Sequence, residues 1–392
     1  MTNGPIINRR SALAGMAALP LIGCTNGGMG GLEAPVSAPP SLDELARMGG
    51  RRFGSAVAST PGNIDAGSFQ NPSYAAVVTA ECGLIVPENE MKWQAIRPSR
   101  ETYDFSRMDA MVAWAKSQNL DMRGHTLLWH RPQWFPKWLN NYDFGANPVV
   151  EAERLLTEHI RALTDRYRGV ITSYDVVNEA IDHDTNAPIE TSLSKAMGSP
   201  EAVIDLAFHT AREQLPTAQL VYNDYMSWEP QHAVHRADVL RLLEGLRKRG
   251  TPVDALGIQS HIEMFEIDPA TGIGPYDDRE WRRFLDEVTG MGYRLLITEF
   301  DVKDKALPAD IAVRDARVAD FARRYFDVML EYSDHLDDIL VWGMVDRFNW
   351  LQGFEQARRE DGLEVRGAPY DSNYRAKPMR DAIAGSLRQA AV

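Results

Sequence analysis

Eight short runs rich in apolar and β-branched residues recur along this 392-residue chain, separated by longer segments with helical spacing. They are RRFGSAV from Arg51, GLIVPEN from Gly83, DMRGHTLLW from Asp121, ITSYDVVNE from Ile171, QLVYND from Gln219, ALGIQSH from Ala255, RLLITEFD from Arg294 and ILVWGMVD from Ile339. Between them, VVEAERLLTEHIRALTDRY places apolar residues at 150, 155, 156, 160 and 163, the spacing of one helix face. VIDLAFHTAREQL and RVADFARRYFDVML repeat that spacing. Strands alternating with helices form parallel sheets. Eight such units in one chain predict a single α/β domain, a (β/α)8 TIM barrel. A doubly wound sheet is the competing arrangement, but neither GxGxxG nor a P-loop follows the first strand.

The first forty residues read differently. NRRSALAGMAALPLIGC opens on Arg9-Arg10, continues as a short apolar run and closes on Cys24, with no acidic residue before Glu33. A basic start followed by an apolar stretch too short to span a bilayer reads as an export signal. Residues 1–24 are therefore expected to be that signal, resembling the twin-arginine type. LIGC also resembles a lipoprotein cleavage box, which would leave a lipid anchor on Cys24; a plain cleaved signal is the alternative. Residues 25–40, rich in Gly, Pro, Ser and Ala, read as a flexible tether, and 41–392 as the barrel. The expected location is periplasmic, on the outer membrane as a lipoprotein, or secreted. Cys82 is the only other cysteine, so with Cys24 removed or lipidated no internal disulfide can form. Its apolar surroundings predict a buried small hydrophobe. The net charge of −13 argues against a nucleic-acid partner, since phosphate binding needs a basic face. A monomer is the expected state.

Seven of the eight runs end on polar or aromatic groups: Glu88-Asn89, His125 with Trp129, Asn178-Glu179, Asn223-Asp224, Gln259 with His261, Glu299 with Asp301, and Trp342 with Asp346. One such ending is an ordinary helix cap. Seven together place polar groups at the C-terminal mouth of a barrel, where this fold keeps its active sites. Glu179 and Glu299 each follow an apolar run, DVVN and LLIT. A charge there costs several kcal/mol to desolvate unless it is paired or used. Two carboxylates across a barrel mouth suit retaining glycoside hydrolysis. A structural ion pair with Arg or Lys is the alternative for each. His261 and Asp301 each lie two residues beyond a strand-end residue and share its face. His261 is therefore placed to bridge Glu299 and Asp301, with a core histidine as the alternative. No HExxH or comparable spacing suggests a metal, no cofactor is expected, and no GxSxG elbow occurs.

ENEMKW at 88–93, RGHTLLWH at 123–130, DVVNEA at 175–180, GIQSH at 257–261, ITEFDV at 297–302 and VWGMVDRFNW at 341–350 together resemble glycoside hydrolase family 10, chiefly endo-β-1,4-xylanases. The motifs run in order from about residue 45 to 385. The resemblance implies Glu179 as acid/base and Glu299 as nucleophile, with Asn178 on the sugar 2-hydroxyl. It implies that Gln259 and His261 position the nucleophile and that Asp301 supports them. Glu88, Asn89, Lys92, His125 and Trp129 would line the glycone side, and Trp342 and Trp350 would close around the first sugar. The implied partners are xylan and xylo-oligosaccharides. MVDRFNW departs from a family segment closer to VTDKYSW, which bears on substrate preference. A β-1,4-glycanase tolerant of glucan, or a non-catalytic carbohydrate-binding surface protein, are the alternatives.

Overall fold

The computed structural model describes residues 39–391; the expected export signal over 1–24, Cys24 and the expected tether as far as residue 38 lie outside the described residues. Nine parallel strands form the sheet: β1 Phe53–Val57, β2 Leu84–Pro87, β3 Asp121–Trp129, β4 Ile171–Asn178, β5 Gln219–Asp224, β6 Ala255–Ile258, β7 His261–Glu263, β8 Arg294–Lys303 and β9 Leu336–Val341. β1 to β6 pair in sequence order, β6 pairs with β8, β8 with β9, and β9 with β1. The ring closes with eight staves. β7 is the continuation of the sixth, pairing with the far end of β8 after a break at Gln259-Ser260. All eight predicted runs carry a strand, but five end elsewhere than expected: β2 stops at Pro87, β4 at Asn178 and β6 at Ile258. β8 runs on to Lys303, and β9 stops at Val341, before Trp342 and Asp346.

Both faces of the strands are buried, as a barrel wall requires. Side chains alternate between them with a period of two. Leu84 and Val86 pack inside the barrel with Ala56, Leu340 and Trp342, while Ile85 between them packs outward in the large strand–helix core. Val221 and Leu296 meet Ala255 inside, and Leu220, Tyr222, Leu295 and Ile297 face the helices. Outside, the helix Pro148–Tyr167 buries Leu155, Leu156, Ile160 and Leu163 as its spacing predicts, together with Ala152, whereas Val150, read as part of that face, is exposed. Its Pro148 occupies the first turn, where a missing N–H costs nothing. Cys82 is buried, 2% exposed, against this core.

Strict alternation breaks at three points near the mouth. Register shifts fall between His125 and Leu128 on β3, between Asp175 and Val177 on β4, and between Ile297 and Phe300 on β8. A bulge inserts one residue and turns the next side chain to the other face. Asp175 points inward to Arg123 and His125; without the shift, Val177 would follow it and Asn178 would face the helices. With the shift, Asn178 turns inward and accepts from Asn223 at 2.7 Å. On β8 the shift brings Thr298 and Glu299, adjacent residues, onto the same Asn223 side chain, at 2.7 and 2.8 Å.

Candidate active site

Of the residues that the family resemblance places in the site, all but Asn178 and Asp301 line one cavity of about 420 Å³ at the C-terminal mouth. Asn178 and Asp301 stand directly behind that lining, 0% and 1% exposed. Not all the strand-end groups reach the mouth. Asp346 is fully buried and binds Lys377 Nζ at 2.9 Å, so the expectation that it faces the cavity is corrected by an ion pair. Asn223 and Asp224 are likewise buried behind the wall: Asp224 accepts from the Tyr222 hydroxyl and meets His235 Nε2 at 3.1 Å.

Glu179 is the first residue past β4. Its φ of +50° lies in the left-handed region, which costs a residue with a Cβ roughly 1–2 kcal/mol. Its backbone N–H stays on the Asn223 carbonyl at 2.9 Å, so the turn lifts the side chain from the strand end into the cavity. Three groups surround the carboxylate. Trp129 Nε1 donates to Oε2 at 3.2 Å, Gln259 Nε2 donates to Oε1 at 2.9 Å, and Arg131 Nε stands 3.1 Å from Oε2. Burial pushes the carboxyl above the ordinary range, Arg131 and Gln259 pull it back, and Asp224 and Glu299 add to the rise. The ion pair weighed as the alternative therefore exists for Glu179. It joins a group that burial still holds in the raised range.

Glu299 has no cation of Lys or Arg type among its bonded partners in the described residues. Asn223 Nδ2 donates to Oε1 at 2.8 Å, and His261 Nε2 meets Oε2 at 3.3 Å. His261 Nδ1 meets Asp301 Oδ1 at 2.9 Å, and Trp350 Nε1 donates to Asp301 Oδ2 at 2.6 Å. Burial lowers the His261 pKa, but Asp301 and Glu299 together raise it to about 9, so the imidazolium persists through neutral pH. Gln259 departs from its expected place. Its amide serves Glu179, and only its backbone carbonyl serves Glu299, accepting from the Glu299 N–H at 3.1 Å. Asn223 and His261 hold the two Glu299 oxygens in its place. Ser260, at φ +62°, breaks the stave so that Gln259 and His261 diverge.

On the side of β2 and β3, Lys92 Nζ donates to Asn89 Oδ1 at 2.8 Å and lies 4.7 Å from the Trp129 ring centroid. Burial lowers the pKa of Lys92 and raises that of Glu88, its near neighbour. His125 Nδ1 meets Asp175 Oδ2 at 3.0 Å, and Arg123 Nη2 donates to the other oxygen, Oδ1, at 2.6 Å. Polar groups thus alternate with the indoles of Trp129, Trp342 and Trp350, a surface suited to a ligand with apolar faces and a hydroxyl rim.

Residues 41–386 match glycosyl hydrolase family 10. The chain belongs to that family. Endo-1,4-beta-xylanase C of Paenibacillus barcinonensis is 30% identical over 328 residues, 79% of this chain, which spans only 29% of that protein's length. Endo-1,4-beta-xylanase A of Caldicellulosiruptor saccharolyticus is 29% identical over 306 residues, 74% of this chain and 84% of that one. Among solved structures, xylanase 10B of Thermotoga petrophila, in complex with xylobiose, superposes with a TM-score of 0.76 at 28% identity, covering 91% of this chain and 99% of that one.

The family 10 cavity also contains residues that the sequence did not single out. Gln133, Trp134, Tyr225, Met226, Ser227, His232, Lys303 and Phe354 complete the lining. Trp134 stacks on Trp129 with centroids 4.3 Å apart. These residues sit in the segments after β3 and β5, at the extended end of β8 and in the segment after β9, where no periodicity marks a residue as inward. Asn223, which holds both Asn178 and Glu299, carries only the signal of a polar strand end in the sequence.

Proposed function

We propose that this family 10 hydrolase is a retaining endo-β-1,4-xylanase that cleaves internal xylosidic bonds of xylan by double displacement. The observation carrying the reading is the pair of glutamates from the fourth and seventh staves, facing one cavity with different partners. Glu179, with its raised carboxyl, protonates the leaving glycosidic oxygen. Glu299, beside the His261 cation, attacks the anomeric carbon and forms a covalent glycosyl-enzyme. Glu179, now ionised, takes a proton from water, which displaces Glu299 from the anomeric carbon. Asn178 Nδ2 has no partner among the described residues, leaving an N–H for the sugar 2-hydroxyl. Lys92, Asn89, Glu88 and His125 bind the remaining hydroxyls, and Trp342 and Trp350 pack on the ring faces. The xylobiose held by the Thermotoga petrophila enzyme supports a xylo-oligosaccharide substrate.

A reducing-sugar assay on xylan and carboxymethyl cellulose tests the substrate, and proton NMR of the first product formed tests the stereochemistry. The expected result is release from xylan, with the β-anomer appearing first. Release from neither polymer would leave only a carbohydrate-binding role. Comparable release from both would make the protein a broader β-1,4-glycanase, and an initial α-anomer would remove the two-step mechanism.

A further inference from the structure

Arg131 follows β3, and its guanidinium is fixed at three places. Nη2 donates to the Ile181 carbonyl at 3.0 Å and to the Tyr225 hydroxyl at 3.1 Å, and the guanidinium carbon lies 5.4 Å from the Tyr225 ring centroid. Nε then stands 3.1 Å from Glu179 Oε2 without the alignment of a directed hydrogen bond, so the contact is one of charge. Arg131 does not line the cavity. It sits behind the carboxylate, 18% exposed against 14% for Glu179.

We propose that Arg131 is a positioning residue for Glu179, its anchored positive charge holding the carboxylate in place and setting the pH at which Glu179 gives up its proton. The inference rests on the reading of Glu179 as acid/base. The charged and titratable groups facing Glu179 from the surrounding elements are few. Arg131 comes from the segment after β3, Lys92 from that after β2, Asp224 and Tyr225 from the end of β5, and Glu299 from β8. Tyr222 and His235 both hold Asp224; the Tyr222 hydroxyl also accepts from the Ala180 N–H beside Glu179, and the His235 ring stacks on Tyr225. Gln259 and Trp129 are neutral donors. Of the two cations, Lys92 is committed to Asn89 and lies nearest Glu88 in its electrostatic influence, leaving Arg131 as the cation in direct contact.

The sign follows. A guanidinium beside a carboxylate favours the charged form, against the burial that disfavours it. Removing the charge leaves Glu179 protonated to higher pH. Protonated Glu179 is needed to expel a sugar leaving group, so the alkaline limb of kcat/KM on xylo-oligosaccharides should move up. Ionised Glu179 is needed to activate water, so where hydrolysis of the glycosyl-enzyme limits turnover, the acid limb of kcat should move up as well.

The test is the pH profile of kcat/KM on xylotetraose for wild type, Arg131→Met, Arg131→Lys and Glu179→Gln, with circular dichroism recorded for each. Arg131→Met should shift the alkaline limb upward by about 1 pH unit, the low end of what an opposite charge at this distance does. Arg131→Lys should keep the limb near wild type. A limb position does not depend on how much protein is folded, so a merely structural role would lower the curve without moving it. If Arg131→Met leaves the limb in place, or Arg131→Lys shifts it equally, the proposal is overturned while the reading of Glu179 stands, provided Glu179→Gln abolishes the limb. If Glu179→Gln keeps the limb, the acid/base reading has failed and the proposal fails with it.

Discussion

Glu179 and Glu299 differ less in chemistry than in how each is held. Glu179 lies just past its strand, on a left-handed backbone, and its partners Trp129, Arg131 and Gln259 come from the ends of two other staves. Glu299 lies within β8, which runs four residues further to Lys303, and its partners form a chain from Asn223 and His261 through Asp301 to Trp350. Burial raises the Glu179 carboxyl, whereas Glu299 has the His261 imidazolium at 3.3 Å. On the proposed two-step reaction, the difference matches two different tasks. A carboxyl that must lose and regain a proton is poised between opposing influences. A carboxylate that must attack from a fixed position is built into the wall.

The sharpest way to break this comparison is to remove each carboxylate and supply a small nucleophile. Glu299→Ala should lower turnover by roughly 10⁴–10⁶, the scale of losing a nucleophile in a two-step hydrolase. Glu179→Ala should lower it by about 10²–10⁴ on xylo-oligosaccharides, the usual contribution of general acid–base catalysis. On a dinitrophenyl xylobioside, whose leaving group needs little protonation, Glu179→Ala should still show a burst and then stall. Azide needs no general base and should restore turnover, giving a β-glycosyl azide. Glu299→Ala should show no burst, and any azide product should be α. Product configurations the other way round would exchange the two roles.

The next contrast is pH. The His261 pKa is raised from an ordinary 6.5 to about 9 on folding. A raised folded value stabilises the fold fully below the unfolded pKa, and that stabilisation is lost as pH rises through the folded one. The stability advantage of wild type over His261→Asn should therefore be largest below about pH 6.5 and shrink through pH 9, by on the order of 3 kcal/mol at most. Urea unfolding of both proteins across that range measures it. An advantage unchanged with pH would mean that His261 is neutral in the folded protein and that Glu299 has no cation beside it.

How much of this was legible follows the same division. The stave order and Glu179 and Glu299 could be read because apolar runs with a period of two, ended by a polar residue, are a local signal. The bridging place of His261 could be read because two residues on one strand share a face. The bulges could not: they relieve the curvature of a closed ring, and nothing in DVVN or LLIT marks the inserted residue. Gln259 was misread for that reason. A side chain beside a break in a stave can turn to either neighbour, and no local pattern marks which. Arg131 was invisible because its partner Tyr225 lies 94 residues away in sequence. Asp346 looked like another mouth residue because its capture by Lys377 is equally remote, 31 residues on.

The smallest expected effect separates the two walls most cleanly, because the same substitution can be made in each. Trp129 gives its indole N–H to Glu179 and Trp350 gives its own to Asp301. Phenylalanine keeps an aromatic face for the sugar and removes only that donor. A hydrogen bond to a charged group contributes about 1.5–3 kcal/mol, so each change should cost roughly ten- to a hundredfold in kcat/KM at most. The cost should differ in kind. Trp129→Phe removes a donor that favours ionised Glu179, so its alkaline limb should rise slightly, in the same direction as Arg131→Met. Trp350→Phe leaves Glu179 untouched and frees Asp301, which loosens the hold on His261 and through it on Glu299. Its kcat should fall with the alkaline limb unmoved. Matching pH profiles for the two variants would mean that the walls are coupled, and that poise and placement are not divided between them as their partners indicate.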